Sequence, residues 1–308
     1  MDVQATSNGN EMERPTFQPM DPERREWLGE ALTSLTINVP QEMMKAIDVL
    51  KTRAETEVDA VNHERALDFL LELVDNLDFA NGKYFHKIGG FQILSPNLNS
   101  HFPCLRMKTA DLFAELVQNN PYCQKAAGEF GLIPQLLDLL ENDPEPEVRI
   151  KALYGLSCLI RHNNAALDEF MAQDGFSYLL RAMQSNIDKL RIKSSFLISC
   201  LCEQKPEIKD TLTRMGFVDQ LVALIQMDHD STHEHLLSAL NCLVTNHTES
   251  INECRNPQLH LKETLYARFY LLQGREECLE ELEYCKQLLN TVFNTVFNNS
   301  QNKSIIPR

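Results

Sequence analysis

The sequence carries little positive charge for its length. Its 308 residues include 29 Lys and Arg against 44 Asp and Glu, which gives a formal net charge of −15. General binding to nucleic acid or to an anionic membrane needs a basic surface. The composition therefore argues against both kinds of partner.

Long apolar runs and paired cysteines are also missing. No stretch approaches the roughly 20 apolar residues that a membrane-spanning helix needs. The nine cysteines are scattered singly, with no Cys-x-x-Cys pair, which indicates reduced thiols rather than a disulfide framework. The first residues show no secretory signal and the last residues no retention signal, so we expect a cytoplasmic protein.

What the sequence does contain is a two-part pattern that recurs about every 42 residues. The first part is a Gly followed by an apolar run, and it occurs at Gly90, Gly131, Gly175 and Gly216. The second part begins 16 to 18 residues later with a basic residue or His, at Arg106, Arg149, Arg191 and His233. Two ladders with the same step predict a stacked array of helical repeats.

Each repeat is predicted to contain three helices. A short first helix ends at the Gly, which we expect to supply the left-handed conformation at that end. An apolar second helix follows the Gly, and a longer third helix follows the basic position. Residues seven and ten positions after that start share one helical face and are predicted to be buried: Phe113, Leu156, Ile198 and Leu240, then Leu116, Leu159, Leu201 and Leu243.

These patterns divide the chain into five parts. We expect a disordered tail at 1–20, an N-terminal helical cap at 21–80, four repeats at 81–256, a C-terminal helical cap at 257–297 and a second disordered tail at 298–308. The helices predicted in the caps begin near Asp21 and cover Gln41–Ala54, Asn62–Asn76, Leu261–Leu272 and Glu276–Val296.

The order of a short helix, a Gly and two longer helices resembles the armadillo repeat. The segments 151–159 and 193–201 are similar to its most recognisable stretch, which lies on the third helix. This resemblance implies an all-α, armadillo-like helical solenoid of four repeats with N- and C-terminal helical caps, whose third helices line a concave groove.

Cargo-carrying armadillo proteins place a Trp and, four residues later, an Asn on that groove. The Trp position is occupied here by Asp111, Tyr154, Phe196 and Ser238, and the Asn position by Glu115, Cys158, Cys200 and Cys242. A thiol is a weak donor and acceptor and cannot hold a peptide backbone as an amide does. The sequence therefore argues against a cargo receptor of the nuclear-import type.

A closer resemblance covers about residues 21 to 297. The segments 148–153, 174–184, 215–224 and 233–240, together with 23–28 and 280–289, resemble the heat-shock-protein-70-binding protein family, in the same order. The resemblance implies a co-chaperone that binds the ATPase domain of cytosolic 70-kDa heat-shock chaperones. In this family's mechanism the factor grips one lobe, displaces the other and accelerates ADP release.

Stacking the third helices would align two basic columns beside two aromatic residues. The predicted partner-binding residues of the groove are Arg106, Lys108, Arg149, Lys151, Tyr154, Arg191, Lys193, Phe196 and His235. Exposed aromatic residues between charges are typical interface anchors. The alternatives are ion pairs between neighbouring repeats for the charges and an inter-repeat core for Tyr154 and Phe196.

Other functions have little support in the sequence. It contains no Gly-rich phosphate loop, no Gly-x-Ser-x-Gly and no kinase signature, so we expect no enzymatic activity and no cofactor. His229, His233 and His235 form no His-Glu-x-x-His motif. The Cys158, Cys200 and Cys242 column has a helix-packing spacing of about 10 Å, too wide for shared zinc ligation. We expect a metal-free protein that is a monomer when no partner is bound. The alternative to the co-chaperone function is an armadillo scaffold that binds an unrelated protein through its concave groove.

Overall fold

The computed structural model describes residues 21, 24–25, 39–75 and 82–295. The predicted tails at 1–20 and 298–308 lie outside these residues, as does most of the predicted first helix. The chain divides after Met43 into two compact units, and the repeats belong to the unit that begins at Met44. Within the described ranges every regular element is helical, and none of these helices is long and apolar enough to cross a membrane.

Four groups of three helices follow the predicted order. Repeat 1 contains α3 (Gly82–Lys87), a 3₁₀ turn (Gly90–Ile93) that continues into α4 (Leu94–Leu98), and α5 (Pro103–Val117). Repeat 2 contains α6 (Pro121–Gly128), α7 (Ile133–Asn142) and α8 (Pro146–Ile160). Repeat 3 contains α9 (Asn164–Ala172), α10 (Gly175–Met183) and α11 (Asp188–Gln204). Repeat 4 contains α12 (Ile208–Arg214), α13 (Phe217–Ile225) and α14 (His233–Val244).

Helices on both sides extend this array. Among the residues described from Val39 onward, α1 (Val39–Leu50) and α2 (Glu57–Asp75) precede it. Three follow it: α15 (Thr248–Cys254), α16 (Leu261–Leu272, as predicted) and α17 (Leu279–Phe293). Helix α2 packs against α5, and α17 packs against α14. The third helices therefore belong to one continuous row, α2, α5, α8, α11, α14 and α17, and the segment after repeat 4 repeats the order of short, middle and long helix.

The predicted buried face of the third helices is confirmed. Phe113, Leu156, Ile198 and Leu240 are each 0% exposed, and the leucines three residues further on are 3% exposed or less. Burying one such side chain contributes about 1.5–3 kcal/mol. Because this face packs in the core, the opposite face of each third helix points away from the core.

The expected role of two repeat glycines is wrong. Gly131 and Gly216 have φ values of +58° and +81°. In the other two repeats the left-handed residue comes one position earlier, at Gly89 and Asp174, and neither Gly90 nor Gly175 has a positive φ. Both are required for close packing instead, because a Cβ would lie 2.4 Å from the ring of Phe85 at Gly90 and of Phe170 at Gly175.

A turn of one kind links three of the third helices to the short helix that follows. Its central residue is left-handed: Asn119, His162 and Asn246 have φ between +52° and +58°. The next residue caps the following helix, since the side chains of Asn120, Asn163 and His247 accept a bond from a backbone N–H three residues on. This cap satisfies an otherwise unpaired helix N–H. The turn helps to set the repeat step.

Candidate partner-binding face

The side of the third helices that is turned away from the core carries six of the nine predicted groove residues. We call it the third-helix face and define it by sixteen side chains: Lys108, Asp111, Glu115, Gln118, Lys151, Tyr154, Cys158, Arg161, Lys193, Phe196, Cys200, Glu203, His235, Ser238, Cys242 and Thr245. All except the buried Cys158 are partly or fully exposed. They take offsets 0, 3, 7 and 10 along α5, α8, α11 and α14, so each helix presents one stripe. Gln118, Arg161 and Thr245 directly follow the last residue of their helices.

Two lysines of this face form ion pairs with the preceding third helix. Lys108 Nζ lies 2.9 Å from Glu64 Oε1 and 2.5 Å from Asp68 Oδ1, both on α2. Lys151 Nζ lies 2.6 Å from Asp111 Oδ1 on α5. For these two residues the alternative of ion pairs between repeats is the observed arrangement. Their charge is largely neutralised within the protein.

Two further cations of the face meet aromatic rings. Lys193 Nζ lies 5.2 Å from the centroid of the Tyr154 ring, and Arg161 Cζ lies 5.8 Å from that of Phe196. Both distances are within the range of cation–π attraction. Neither Lys193 nor Arg161 forms an ion pair with a carboxylate in the described part of the chain. Their charges are therefore not neutralised by an ion pair within the described residues.

The two aromatic residues differ in exposure. Phe196 is 49% exposed, so its ring is not part of the inter-repeat core. Tyr154 is half-buried, and its hydroxyl donates to Glu115 Oε1 at 3.2 Å. The pKa of the Tyr154 hydroxyl is raised, mainly by burial and further by the Cys158 thiol and the Glu115 carboxylate. The hydroxyl therefore stays protonated at neutral pH. Both residues offer ring surface toward solvent.

The arginine column does not belong to this face, which corrects the prediction for Arg106, Arg149 and Arg191. Arg106 donates to both oxygens of Asp143, at 2.6 and 2.9 Å. Arg149 Nε donates to the Leu140 carbonyl at 2.8 Å. Arg191 pairs with Asp188 at 2.7 Å and Asp230 at 3.3 Å. The side chains of Arg106 and Arg191 are only 11% and 12% exposed, so we assign this column to the stability of the array.

His229 and His233 lie at a polar junction between repeat 4 and the helices after it. His233 is 0% exposed, and its Nδ1 lies 3.0 Å from Asp230 Oδ1. His229 Nε2 lies 2.9 Å from Glu281 Oε2, and Arg268 Nη1 lies 3.3 Å from the other oxygen of Glu281. Burial first, and then the charge of Arg268, lowers the pKa of His233. His235 is the one member of the trio on the third-helix face.

Sequence reasoning missed Arg268 and Glu281. Both are buried, at 7% and 4% exposure, and both stand among apolar residues of α16 and α17. A charged residue on the apolar face of a predicted helix is the signal that would have indicated a buried pair.

The cysteine column supplies neither charge nor strong hydrogen bonds. Cys158, Cys200 and Cys242 are free thiols. Burial raises the pKa of Cys158 to about 11 and also raises that of the other two. These side chains are therefore neutral at physiological pH.

Comparison with known proteins identifies the family. Residues 81–216 match the family model described as the SIL1/FES1/HPBP1 C-terminal domain, and residues 2–82 match the one described as nucleotide exchange factor Fes1. Hsp70-binding protein 1 of Mus musculus is 38% identical over 310 residues, which span 97% of this chain and 86% of the mouse protein. The chain belongs to the SIL1/FES1/HPBP1 family. The Homo sapiens Hsp70-binding protein 1 matches with the same identity and coverage, so the predicted family is confirmed.

Solved armadillo repeat structures are similar in fold to this protein. A designed armadillo repeat protein superposes with a TM-score of 0.66 and covers 81% of this chain and 99% of its own. The two are 15% identical, so the likeness concerns the fold alone. It confirms the predicted all-α, armadillo-like solenoid.

Proposed function

We propose that this protein is a co-chaperone that binds the ATPase domain of a 70-kDa heat-shock chaperone and accelerates the release of ADP. The observation that carries the proposal is the match to Hsp70-binding protein 1 along 97% of the chain. The match of residues 2–82 to the Fes1 exchange-factor model supports the same activity.

The third-helix face is the surface that we assign to the chaperone. It combines an exposed Phe196 and a half-buried Tyr154 with cations, and it forms one unbroken row across four repeats. Aromatic residues in such a setting are typical interface anchors. A face that grips a whole lobe of the ATPase domain buries on the order of 2,000 Å² or more.

Nucleotide exchange requires that this protein bind the chaperone more tightly when its nucleotide cleft is open than when it is closed. If the face holds one lobe in a position that opens the nucleotide cleft, ADP and this protein each weaken the binding of the other by the same factor. A coupling of about 1–3 kcal/mol, or roughly 5–150-fold, is ordinary for two linked sites. The protein needs no chemical reaction, cofactor or metal for this role, and we propose that it acts as a cytoplasmic monomer.

Release of labelled ADP from a 70-kDa heat-shock chaperone tests the proposal. We expect the release rate to rise with the concentration of this protein and to saturate. A scaffold for an unrelated partner would leave the rate unchanged at every concentration. Unchanged release together with undetectable binding to the ATPase domain would reject the chaperone as the partner.

A further inference from the structure

The charge balance of the third-helix face changes between repeat 2 and repeat 3. Lys108 and Lys151 each contact an acidic residue 40 positions earlier, Asp68 and Asp111. Lys193 occupies the same position in repeat 3, but the residue that faces it from the preceding third helix is Tyr154. The repeat geometry thus continues while the counter-charge disappears. Lys193 is left with a ring where its two predecessors have a carboxylate.

Arg161 is a second cation of this kind and directly follows the last residue of α8. It borders an open pocket of about 180 Å³ that is also lined by Gln118 and His162. The lining contains no Asp or Glu. A guanidinium, an imidazole and a carboxamide are groups that donate hydrogen bonds to an oxyanion. The pocket is therefore suited to an anionic group that this chain does not supply.

Cys158 is close enough to Arg161 and Lys193 to feel both charges. Both act electrostatically on its thiol and lower its pKa, against the larger effect of burial. The thiol stays neutral and cannot balance their charges. Two cations thus lie beside the rings of Tyr154 and Phe196 without an ion pair among the described residues. The nearby Glu115 carboxylate is engaged by the Tyr154 hydroxyl.

A carboxylate fits this place better than a neutral group. It would form charge-assisted hydrogen bonds, which are roughly twice as strong as neutral ones. The planar guanidinium of Arg161 can bind both carboxylate oxygens, and Lys193 adds a point charge. Partner surface packed on the adjoining rings would exclude water and so strengthen the attraction.

We infer that Arg161 and Lys193 together receive an acidic side chain of the partner, while Tyr154 and Phe196 pack against apolar surface around it. The inference rests on the proposed function, since the chaperone ATPase domain is the partner that it concerns. It is narrower, because it assigns charge recognition to two residues. Lys108 and Lys151, already paired, have no direct part in that recognition.

Neutralising variants test this assignment. We expect Arg161→Gln and Lys193→Gln each to raise the dissociation constant for the ATPase domain about tenfold or more at low salt, since a buried carboxylate loses its partner. The loss should shrink at high salt, where the attraction is screened. Lys51→Gln is the control, because Lys51 lies outside the third-helix face and already pairs with Asp48; it should change the constant less than about threefold. Arg161→Lys keeps the charge and should keep more affinity than Arg161→Gln.

The outcomes separate this inference from the proposed function. Wild-type protein is assayed for ADP release in the same series, and no acceleration by the wild type rejects the exchange function itself. Acceleration by the wild type with equal dissociation constants for Lys193→Gln and Lys51→Gln overturns only the present inference. Thermal melting checks the fold of each variant. Lys193 is partly exposed, and its variant decides the test if Arg161→Gln unfolds.

Discussion

Lys193 Nζ lies 5.2 Å from the centroid of the Tyr154 ring, at the place in the repeat where Lys151 contacts the carboxylate of Asp111. One inter-repeat geometry therefore accommodates both an ion pair and a cation–π contact. Each contributes about 1 kcal/mol or less at an exposed site. The exchange of one for the other changes stability little, but it changes the charge that the face presents to a partner.

The ion pair between Arg106 and Asp143 is expected to stabilise the fold. The Asp143 side chain is 2% exposed, and Arg106→Ala would leave a buried carboxylate without its counter-charge. We expect the free energy of unfolding in urea to fall by more than about 2 kcal/mol. Lys189→Ala is the control, because Lys189 and Glu147 are 64% and 55% exposed and their pair should contribute about 0.5 kcal/mol or less. Equal, small losses in both variants would return Arg106 to the set of partner-binding candidates.

Replacing Gly175 by alanine is expected to destabilise the fold. Gly175→Ala places a Cβ 2.4 Å from the Phe170 ring, and overpacking of this kind destabilises by about 1–3 kcal/mol. Gly128→Ala is the matched control, since no atom lies within 4 Å of its added Cβ; there the loss of chain entropy in the unfolded state should stabilise by about 0.4–1 kcal/mol. Thermal melting compares the two. A melting temperature that is unchanged in Gly175→Ala would show that the contact with Phe170 is not a tight one.

His233 is expected to make stability depend on pH. Burial holds its folded pKa below the ordinary value of 6.5, so the unfolded chain binds the proton more readily. The contribution of His233 is therefore complete above about pH 6.5 and is lost as the pH falls below it. Urea unfolding near pH 7.5 and near pH 5.5 measures the loss. His233→Gln should show a smaller loss between the two pH values than the wild type, whereas equal losses would place the pH dependence elsewhere.

The sequence predicted the helices well because their pattern is local. Phe113, Leu156, Ile198 and Leu240 occupy one position of a 3.6-residue period, and all four are buried. At Asp174-Gly175 the prediction failed, because either residue can take the left-handed conformation and the position of the Phe170 ring decides which one does. A periodicity cannot supply that contact.

The site was harder to predict than the fold. Its charges are balanced across repeats, by pairs such as Arg106 with Asp143 and Lys151 with Asp111 that lie about 40 residues apart. The lysine and arginine columns could not be distinguished in the sequence. In the structure the lysine column lies on the third-helix face, whereas the arginine column contacts loops and helix ends. Exposure of Phe196 and the lack of a counter-charge at Lys193 likewise became visible only with all neighbours in place.

The most direct test of the account is the rate of labelled ADP release from a 70-kDa heat-shock chaperone in the presence of three proteins. These are the wild type, the double variant Tyr154→Ala with Phe196→Ala, and Tyr270→Ala, whose aromatic side chain is 60% exposed but lies on α16, outside the third-helix face. The account predicts acceleration by the wild type and by Tyr270→Ala. The double variant should keep its melting temperature yet bind more weakly, by at least about 1 kcal/mol for each anchor removed, and it should no longer accelerate release at the same concentration. A double variant that melts normally and accelerates ADP release as fast as the wild type would contradict the assignment of the third-helix face to the chaperone.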